Sequence, residues 1–481
     1  MRKSTWTKLH NGSGIILGFF LLMFCVSGIL LNHRDLIAGI DVSRRCLPPW
    51  YAFRDWNGGL LRGTVRLPAA DPGSGILVYG SGGIFLTDSA ASVITPFMRG
   101  LPHDADRRQI RAVVLTRDGR LCALTPYALW LNDSSGVWHD AGIRPQAGER
   151  FSDMTCRGDT LVVAGRSYLY ISPRSGVPFS RMALAAPDGY KPRMSLFRIV
   201  WMLHSGAMFG LPGRLAVDAI AIVIILLCLT GWIIWLGHAR VRRSGIRLHN
   251  RVGVATILLT FLVVITGWCL RPPLMIPLAI IKVPPVPATA LSSPDPWHDR
   301  IRMIRYDDRC GDWLISASDG FYSLKTLSSV PVPLSSAPPV SVMGLNVFEQ
   351  DPAGTWICGS FSGLYRWDRL TGRSTDFFTG LPAPSASAPP FGRTPVSGFS
   401  AHFGPEPVVA EFYRGTTCIP QPDTLSSLPL SLWNVALEVH SGRIYFGPSA
   451  TYFFIFIIGA AAILLLWSGW KLRLPRRRLP R

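Results

Sequence analysis

Acidic residues are scarce in this chain. It carries 29 Asp and Glu against 49 Lys and Arg in 481 residues, and only 16% of its residues are charged while 48% are hydrophobic. A nucleic-acid binder with a formal charge of +20 would scatter its cations over soluble patches among abundant other charges, so the composition argues against one. CxxC pairs and zinc-type spacings are missing although nine cysteines are present, which removes the metal-thiolate and dithiol classes. The cysteines read as small buried thiols or as one or two disulfides in the outer segments. No glycine-rich nucleotide fingerprint stands between a strand and a helix.

Long uncharged runs are what the chain does have. Gly14 to Leu31, Leu215 to Leu236 (interrupted only by Asp218), Val252 to Leu270 and Tyr452 to Trp470 are 18 to 22 residues long. At about 1.5 Å of rise per residue, each can cross a hydrocarbon core of roughly 30 Å as a helix. Cations set the orientation. Fourteen Lys and Arg, with no acid among them, lie in 1–13, 237–251 and 471–481. The expected order is a cytoplasmic N-terminus (1–13), span one (14–31), an extracytoplasmic β-rich segment (32–194), an interfacial stretch with span two (195–236) and a cytoplasmic loop (237–251). Span three (252–270), a second β-rich segment (271–430), an interfacial stretch with span four (431–470) and a basic tail (471–481) complete it. The first run ends without a small-residue cleavage pattern and reads as an uncleaved anchor.

The two halves repeat. Lys8-Leu9-His10-Asn11 recurs 239 residues later as Arg247-Leu248-His249-Asn250, and the same offset matches Gly14 with Gly253 and Ser27-Gly28 with Thr266-Gly267. Ser195-Leu196-Phe197 with Leu203-His204-Ser205-Gly206 recurs at offset 236 as Ser431-Leu432-Trp433 with Val439-His440-Ser441-Gly442. Thr230-Gly231-Trp232 answers Ser468-Gly469-Trp470. Parallel repeats imply a pseudo-twofold axis along the membrane normal. The expected fold is therefore an α-helical membrane bundle of four transmembrane helices in two pseudo-symmetric halves. A second repeat lies outside. Gly311-Asp312-Trp313-Leu314-Ile315 recurs 43 residues later as Gly354-Thr355-Trp356-Ile357-Cys358, with looser relatives at Gly75, Gly119 and Gly158. Spacings near 40 residues suggest a large all-β, propeller-like domain, with unrelated β-meanders as the alternative.

Only His10, His249, His204 and His440 among the ten histidines occupy matched places in both halves. Residues related by a twofold axis face one another across it, so His10 with His249, and His204 with His440, can each offer two imidazoles to one centre. Haem iron suits such a pair, because a lone zinc or iron ion would want three or four ligands and no Cys, Asp or Glu accompanies either pair. Gly14 and Gly253, four residues past their histidines, leave room for a flat ring or for close helix packing. Arg214 and Arg443 are candidates for propionate pairing or for interface anchoring. His33 and His238, unmatched in the other half, read as interface residues.

These motifs resemble those of the PepSY-associated transmembrane helix family: Leu9-His10 and Leu248-His249 opening spans, His204-Ser205-Gly206 with Phe209-Gly210 and His440-Ser441-Gly442 with Phe446-Gly447 before the next spans, and Thr-Gly closing them. The resemblance implies an inner-membrane ferric-siderophore reductase holding two haems of the b type. In that case all four histidines are axial ligands of haem iron, and there is no catalytic acid or nucleophile. Implied partners are membrane lipid, a ferric siderophore or other iron chelate as acceptor, and quinol or a separate electron donor, with no nucleic acid. The large domains would lie in the periplasm of a bacterium. The alternative is a non-enzymatic, propeller-bearing sensor or a ligand-binding component of an uptake system. It is weakened by inner segments too short for an output domain.

Overall fold

The computed structural model describes residues 3–68, 75–174, 176, 178–341, 343–384, 392 and 394–472; most of the basic tail lies outside them. The chain divides into two compact units, 1–42 with 192–293 and 431–481, and 43–191 with 294–430.

Among the described residues of the first unit, four helices are long and apolar enough to cross a membrane. They are Lys3–Asn32, Gly210–Leu236, Ala239–Cys269 and Arg443–Lys471. Uncharged runs can cross lipid only with every backbone group bonded internally, which a helix achieves. Spans one and three each pack against spans two and four. The expected loop at 237–251 is not a loop. Gly237 and His238 alone separate the second helix from the third, whose first turns carry the arginines. Good helix formers keep that basic stretch helical where it would leave the bilayer.

The repeated Ser-Leu-aromatic and His-Ser-Gly motifs are the two ends of one short helix, made twice: Leu196–His204 and Leu432–His440. Ser195 and Ser431 cap the N-termini by accepting from the backbone N–H of Arg198 and Asn434. Gly206 (φ 74°) and Gly442 (φ 77°) end them in the left-handed conformation. A Cβ on Gly206 would stand 2.2 Å from the Gly213 carbonyl oxygen, so no other residue fits that turn. These turns lead the chain out of each short helix and into the membrane-spanning helix that follows. Gly447 (φ 72°) adds a kink inside the last one.

The second unit is all-β. Five four-stranded antiparallel meanders follow in chain order. They are Gly63–Arg66, Ile76–Gly80, Gly83–Thr87 and Ile94–Pro96; Ala112–Leu115, Leu121–Leu124, Leu129–Asn132 and Trp138–Asp140; Asp153–Arg157, Thr160–Ala164, Leu169–Ser172 and Ser180–Met182; Ile301–Asp307, Asp312–Ala317, Gly320–Leu324 and Val332–Leu334; and Leu345–Gln350, Trp356–Ser360, Gly363–Asp368 and Arg373–Asp376. A two-stranded sixth sheet pairs Val396–Ser400 with Val408–Glu411. The repeat of about 40 residues acquires a physical cause here. Gly75, Gly119, Gly158, Gly311 and Gly354, with φ between 57° and 82°, each close the hairpin into the second strand of a sheet.

The first strands of successive sheets lie side by side, and the sixth lies beside the first. Each junction has its own hydrogen bond. Arg62 Nε donates to the Arg111 carbonyl (2.9 Å), Phe151 N–H to Pro126 (2.8 Å), Ile304 N–H to the Asp153 carboxylate (2.9 Å), and Arg305 Nε to Phe348 (3.0 Å). Asn346 Nδ2 donates to Val396 (2.9 Å) and Phe399 N–H to Arg62 (3.3 Å). Apolar cores fill the spaces between sheets, and two of them mix the outer segments. Val162, Ala164 and Leu169 pack with Trp297, Ile301 and Ile315, while Phe53, Trp56 and Ile76 pack with Val408, Ala410 and Ile419. All nine cysteines are free, and Cys122 and Cys358 are buried among these cores.

Candidate functional site: two histidine pairs

The four matched histidines form two ring pairs in the membrane unit. His10 and His249 stand with ring centres 6.1 Å apart at 77° between planes, and His204 and His440 at 6.0 Å and 43°. The pairs lie toward opposite ends of the spans. About 18 residues of span one, roughly 27 Å of helix, separate His10 from the Ser27-Gly28 step on which His440 rests.

Each ring is held by a neighbouring span at a Ser/Thr-Gly step, and all four steps are used. His10 Nδ1 bonds the Leu465 carbonyl (3.2 Å) and Ser468 Oγ (3.0 Å). His249 Nδ1 bonds Thr230 Oγ1 (2.9 Å). His204 Nδ1 bonds the Val263 carbonyl (3.1 Å) and Thr266 Oγ1 (3.2 Å). His440 Nδ1 bonds the Phe24 carbonyl (2.8 Å) and Ser27 Oγ (3.3 Å). A carbonyl oxygen can only accept, so Nδ1 carries the proton in His10, His204 and His440. Thr230 spends its hydroxyl proton on the Leu226 carbonyl (2.7 Å), so it too receives from the ring. The imidazole lone pair therefore sits on Nε2, the usual arrangement when a histidine is oriented to bind a metal.

The glycine of each step clears space for the ring. A Cβ on Gly267 would lie 2.8 Å from His204 Cε1, and on Gly28 or Gly469 3.1 Å from His440 or His10 Cε1; on Gly231 the distance to His249 is 3.9 Å. For Gly14 and Gly253 the contacts are those of the second alternative, close helix packing. Cβ atoms there would meet Leu465 and Leu227 at 3.5 and 3.7 Å, ordinary helix packing away from the imidazoles. The closing Thr-Gly motif is a ring seat, which spacing within one helix could not reveal because each seat serves a histidine from another helix.

Of the two cations considered for anionic groups, Arg214 is exposed and Arg443 is tied to Glu438 through Nε (2.8 Å). Arg271, just past span three, was not singled out from the sequence. Burial, then the neighbouring Arg443 charge, pushes its guanidinium down to about 10, and the side chain has no hydrogen-bond acceptor among the described residues. His33 is more than an interface residue. Its Nε2 meets Asp218 Oδ2 at 2.8 Å, and Asn32 Nδ2 meets Oδ1 at 2.7 Å, so the lone acid of the apolar runs is satisfied by the end of span one. An acid inside a span is the signal that could have found this cluster.

A further group of possible ligands, Asp307, Cys310 and Asp312, lies in the β unit. Arg369 already takes the place a cation would occupy, with Nη1 2.6 Å from Asp307 and 2.7 Å from Asp312. The Trp356 indole N–H (2.9 Å) completes a tie between the fourth and fifth sheets.

No curated protein sequence matches the chain. Among solved structures, two extracellular domains of BT4673 from B. thetaiotaomicron are similar at 10% identity. The one described as a hybrid two-component system has a TM-score of 0.34 and covers 76% of this chain; the one described as a one-component system has a TM-score of 0.22 and covers 66%. This chain spans 38% and 41% of their lengths. The family model of the PepSY-associated TM region matches residues 1–238, which include His10, His204 and the Thr230-Gly231 seat. With the same motifs repeated in its second half, the chain belongs to the PepSY-associated transmembrane family.

Proposed function

We propose that the protein is a dihaem b-type oxidoreductase of the bacterial inner membrane, passing electrons outward to an extracytoplasmic acceptor, a ferric siderophore or other iron chelate. One observation carries the reading: two pairs of imidazoles, each anchored through Nδ1, with ring centres 6.1 and 6.0 Å apart. Rings at this spacing would let His10 with His249, and His204 with His440, each hold one haem iron through Nε2. The donor set also fits. Two neutral imidazoles without a carboxylate or thiolate suit a macrocyclic iron better than a bare cation.

Haem b bound there would supply one-electron transfer. The chain's own residues do the rest. His10 with His249, and His204 with His440, bind; Ser468, Thr230, Thr266 and Ser27 orient the rings; the four spans exclude water. Arg271 is the group suited to a propionate near the outer pair, being enclosed, cationic and without a hydrogen-bond acceptor among the described residues. No acid, base or nucleophile is required. Cations on 1–13 and in the first turns of span three favour cytoplasmic termini and a periplasmic β unit, and quinol or a separate protein would then be the donor. The four spans form the bundle that holds the cofactors. The six sheets, whose first strands neighbour one another in chain order with the sixth beside the first, read as one six-bladed propeller, which would remove exposed strand edges.

Protein reconstituted in vesicles with a reduced quinol should convert an added ferric chelate to the ferrous state, detected by a ferrous-specific dye. His204→Ala should abolish the conversion. Haems that quinol reduces but no ferric chelate reoxidises would refute the acceptor assignment.

A further inference from the structure

Residues on or beside the first strands of the six sheets line a narrow, partly open space: Arg62, Arg111, Asp153, Arg305, Asn346 and Glu349, with Tyr79 and apolar residues. Three guanidiniums and two carboxylates meet here, and their pairing is unequal. Asp153 accepts from Arg305 and from the Ile304 N–H (2.9 Å), and Glu349 stands 3.8 Å from Arg305, so both acids serve one arginine. Arg62 spends Nε on the Arg111 carbonyl and reaches Asn346 Oδ1 at 3.5 Å, with no carboxylate within ion-pair distance among the described residues. The Arg111 guanidinium donates to nothing among the described residues.

A half-buried guanidinium with no acceptor is costly, and here Arg62, Arg150 and Arg166 also repel it. Burial first, then those neighbours, pushes Arg111 down to about 9, which still leaves it cationic at neutral pH. An uncompensated fork of N–H donors facing water inside a narrow space is the chemistry of an oxyanion receptor.

We infer that the space inside the β unit is a binding site for one small oxyanion, a phosphate or a carboxylate group, held by Arg111 and Arg62. Arg305 is neutralised by its two acids and braces the wall. The site is confined to the β unit and stands apart from the haem reading, so neither depends on the other.

The test is calorimetric titration of the full-length protein in detergent with inorganic phosphate and, separately, with acetate. Saturable one-to-one binding of at least one anion is expected, and the tighter of the two identifies tetrahedral or planar recognition. Arg111→Gln should weaken it at least tenfold and leave the melting temperature of the ligand-free protein unchanged or higher. Arg111→Lys should weaken it less than Arg111→Gln, and Arg373→Gln, on an exposed strand, should leave it intact. The inference is overturned if neither anion saturates by about 10 mM. It is equally overturned if Arg111→Gln binds as the parent does, if Arg373→Gln loses as much, or if Arg111→Gln destabilises the ligand-free protein, which would make the guanidinium structural.

Discussion

Replacing Gly267 with alanine probes the ring seats without touching a ligand. The added Cβ would lie 2.8 Å from His204 Cε1 and 3.4 Å from Nδ1, well inside normal carbon contact. Span three is fixed by its own backbone bonds, so the imidazole must retreat by roughly 0.8 Å to reach a carbon–carbon separation of about 3.6 Å. That displacement exceeds the roughly 0.5 Å tolerance of a metal constellation. It also stretches the Nδ1 bonds to Val263 and Thr266, 3.1 and 3.2 Å long, at a cost of about 1–3 kcal/mol. Helix propensity works the other way, favouring alanine by about 0.5–1 kcal/mol, so damage cannot be blamed on the helix. The assay is haem content per chain and the reduced-minus-oxidised spectrum of purified Gly267→Ala, Gly28→Ala, Gly469→Ala and Gly231→Ala. Loss of the outer haem is expected for Gly267 and, less completely, Gly28, partial loss of the inner haem for Gly469, and little change for Gly231, in the order of the clearances 2.8, 3.1, 3.1 and 3.9 Å. Gly14→Ala and Gly253→Ala are the controls. Two full haems in Gly267→Ala, or equal losses in the controls, would refute the seat argument.

Single replacement of His10 or His249 by Ala should remove the inner haem and spare the outer, and His204→Ala or His440→Ala the reverse, measured by pyridine haemochrome and spectrum; loss of both from every variant would mean misfolding. His33→Ala should keep both haems yet lower the melting temperature, because Asp218 loses its 2.8 Å partner, whereas His238→Ala should change neither. Asp307 tests the β unit through pH. Burial opposes ionisation there, but the Trp356 indole, the Cys310 N–H and Arg369 outweigh it and lower the carboxyl to about 2. A depressed folded value contributes stability above the ordinary 3.8 and loses it as pH falls toward 2, about 1–2 kcal/mol in all, so acid unfolding of Asp307→Asn should begin from a lower baseline and show a shallower slope in that window. Expressed alone, 43–191 or 294–430 should aggregate and co-expression should rescue both, since Val162 and Leu169 of one share a core with Trp297 and Ile315 of the other; two stable monomers would contradict this.

What could be read from the sequence was whatever repeats. His10, His249, His204 and His440 stand out because two copies of a half bring the same residue to the same place, and the glycines of the outer segments recur because one left-handed hairpin residue is needed per sheet. What a residue does to another helix stayed hidden. Ser27-Gly28 and Thr266-Gly267 read as span-closing motifs, yet each seats a histidine more than 60 residues away or further in the chain, and the glycines chosen on helical periodicity, Gly14 and Gly253, face leucines. Arg271 and the Asp218–His33 pair were missed because neither has a counterpart in the other half. The sixth sheet, Val396–Ser400 with Val408–Glu411, lacks the glycine-led repeat and escaped notice for the same reason. The basic stretch before span three looked like a loop because charge marks the membrane boundary, not the end of a helix.

If the two ring pairs, with centres 6.1 and 6.0 Å apart, hold haem as proposed, the cofactors will be visible by optical spectroscopy. A reduced-minus-oxidised optical spectrum of detergent-purified protein, from cells supplied with iron and haem precursor, tests the proposal most directly. Low-spin b-type bands from two haems per chain are expected. A colourless, folded preparation would contradict it and would leave the membrane sensor as the better description.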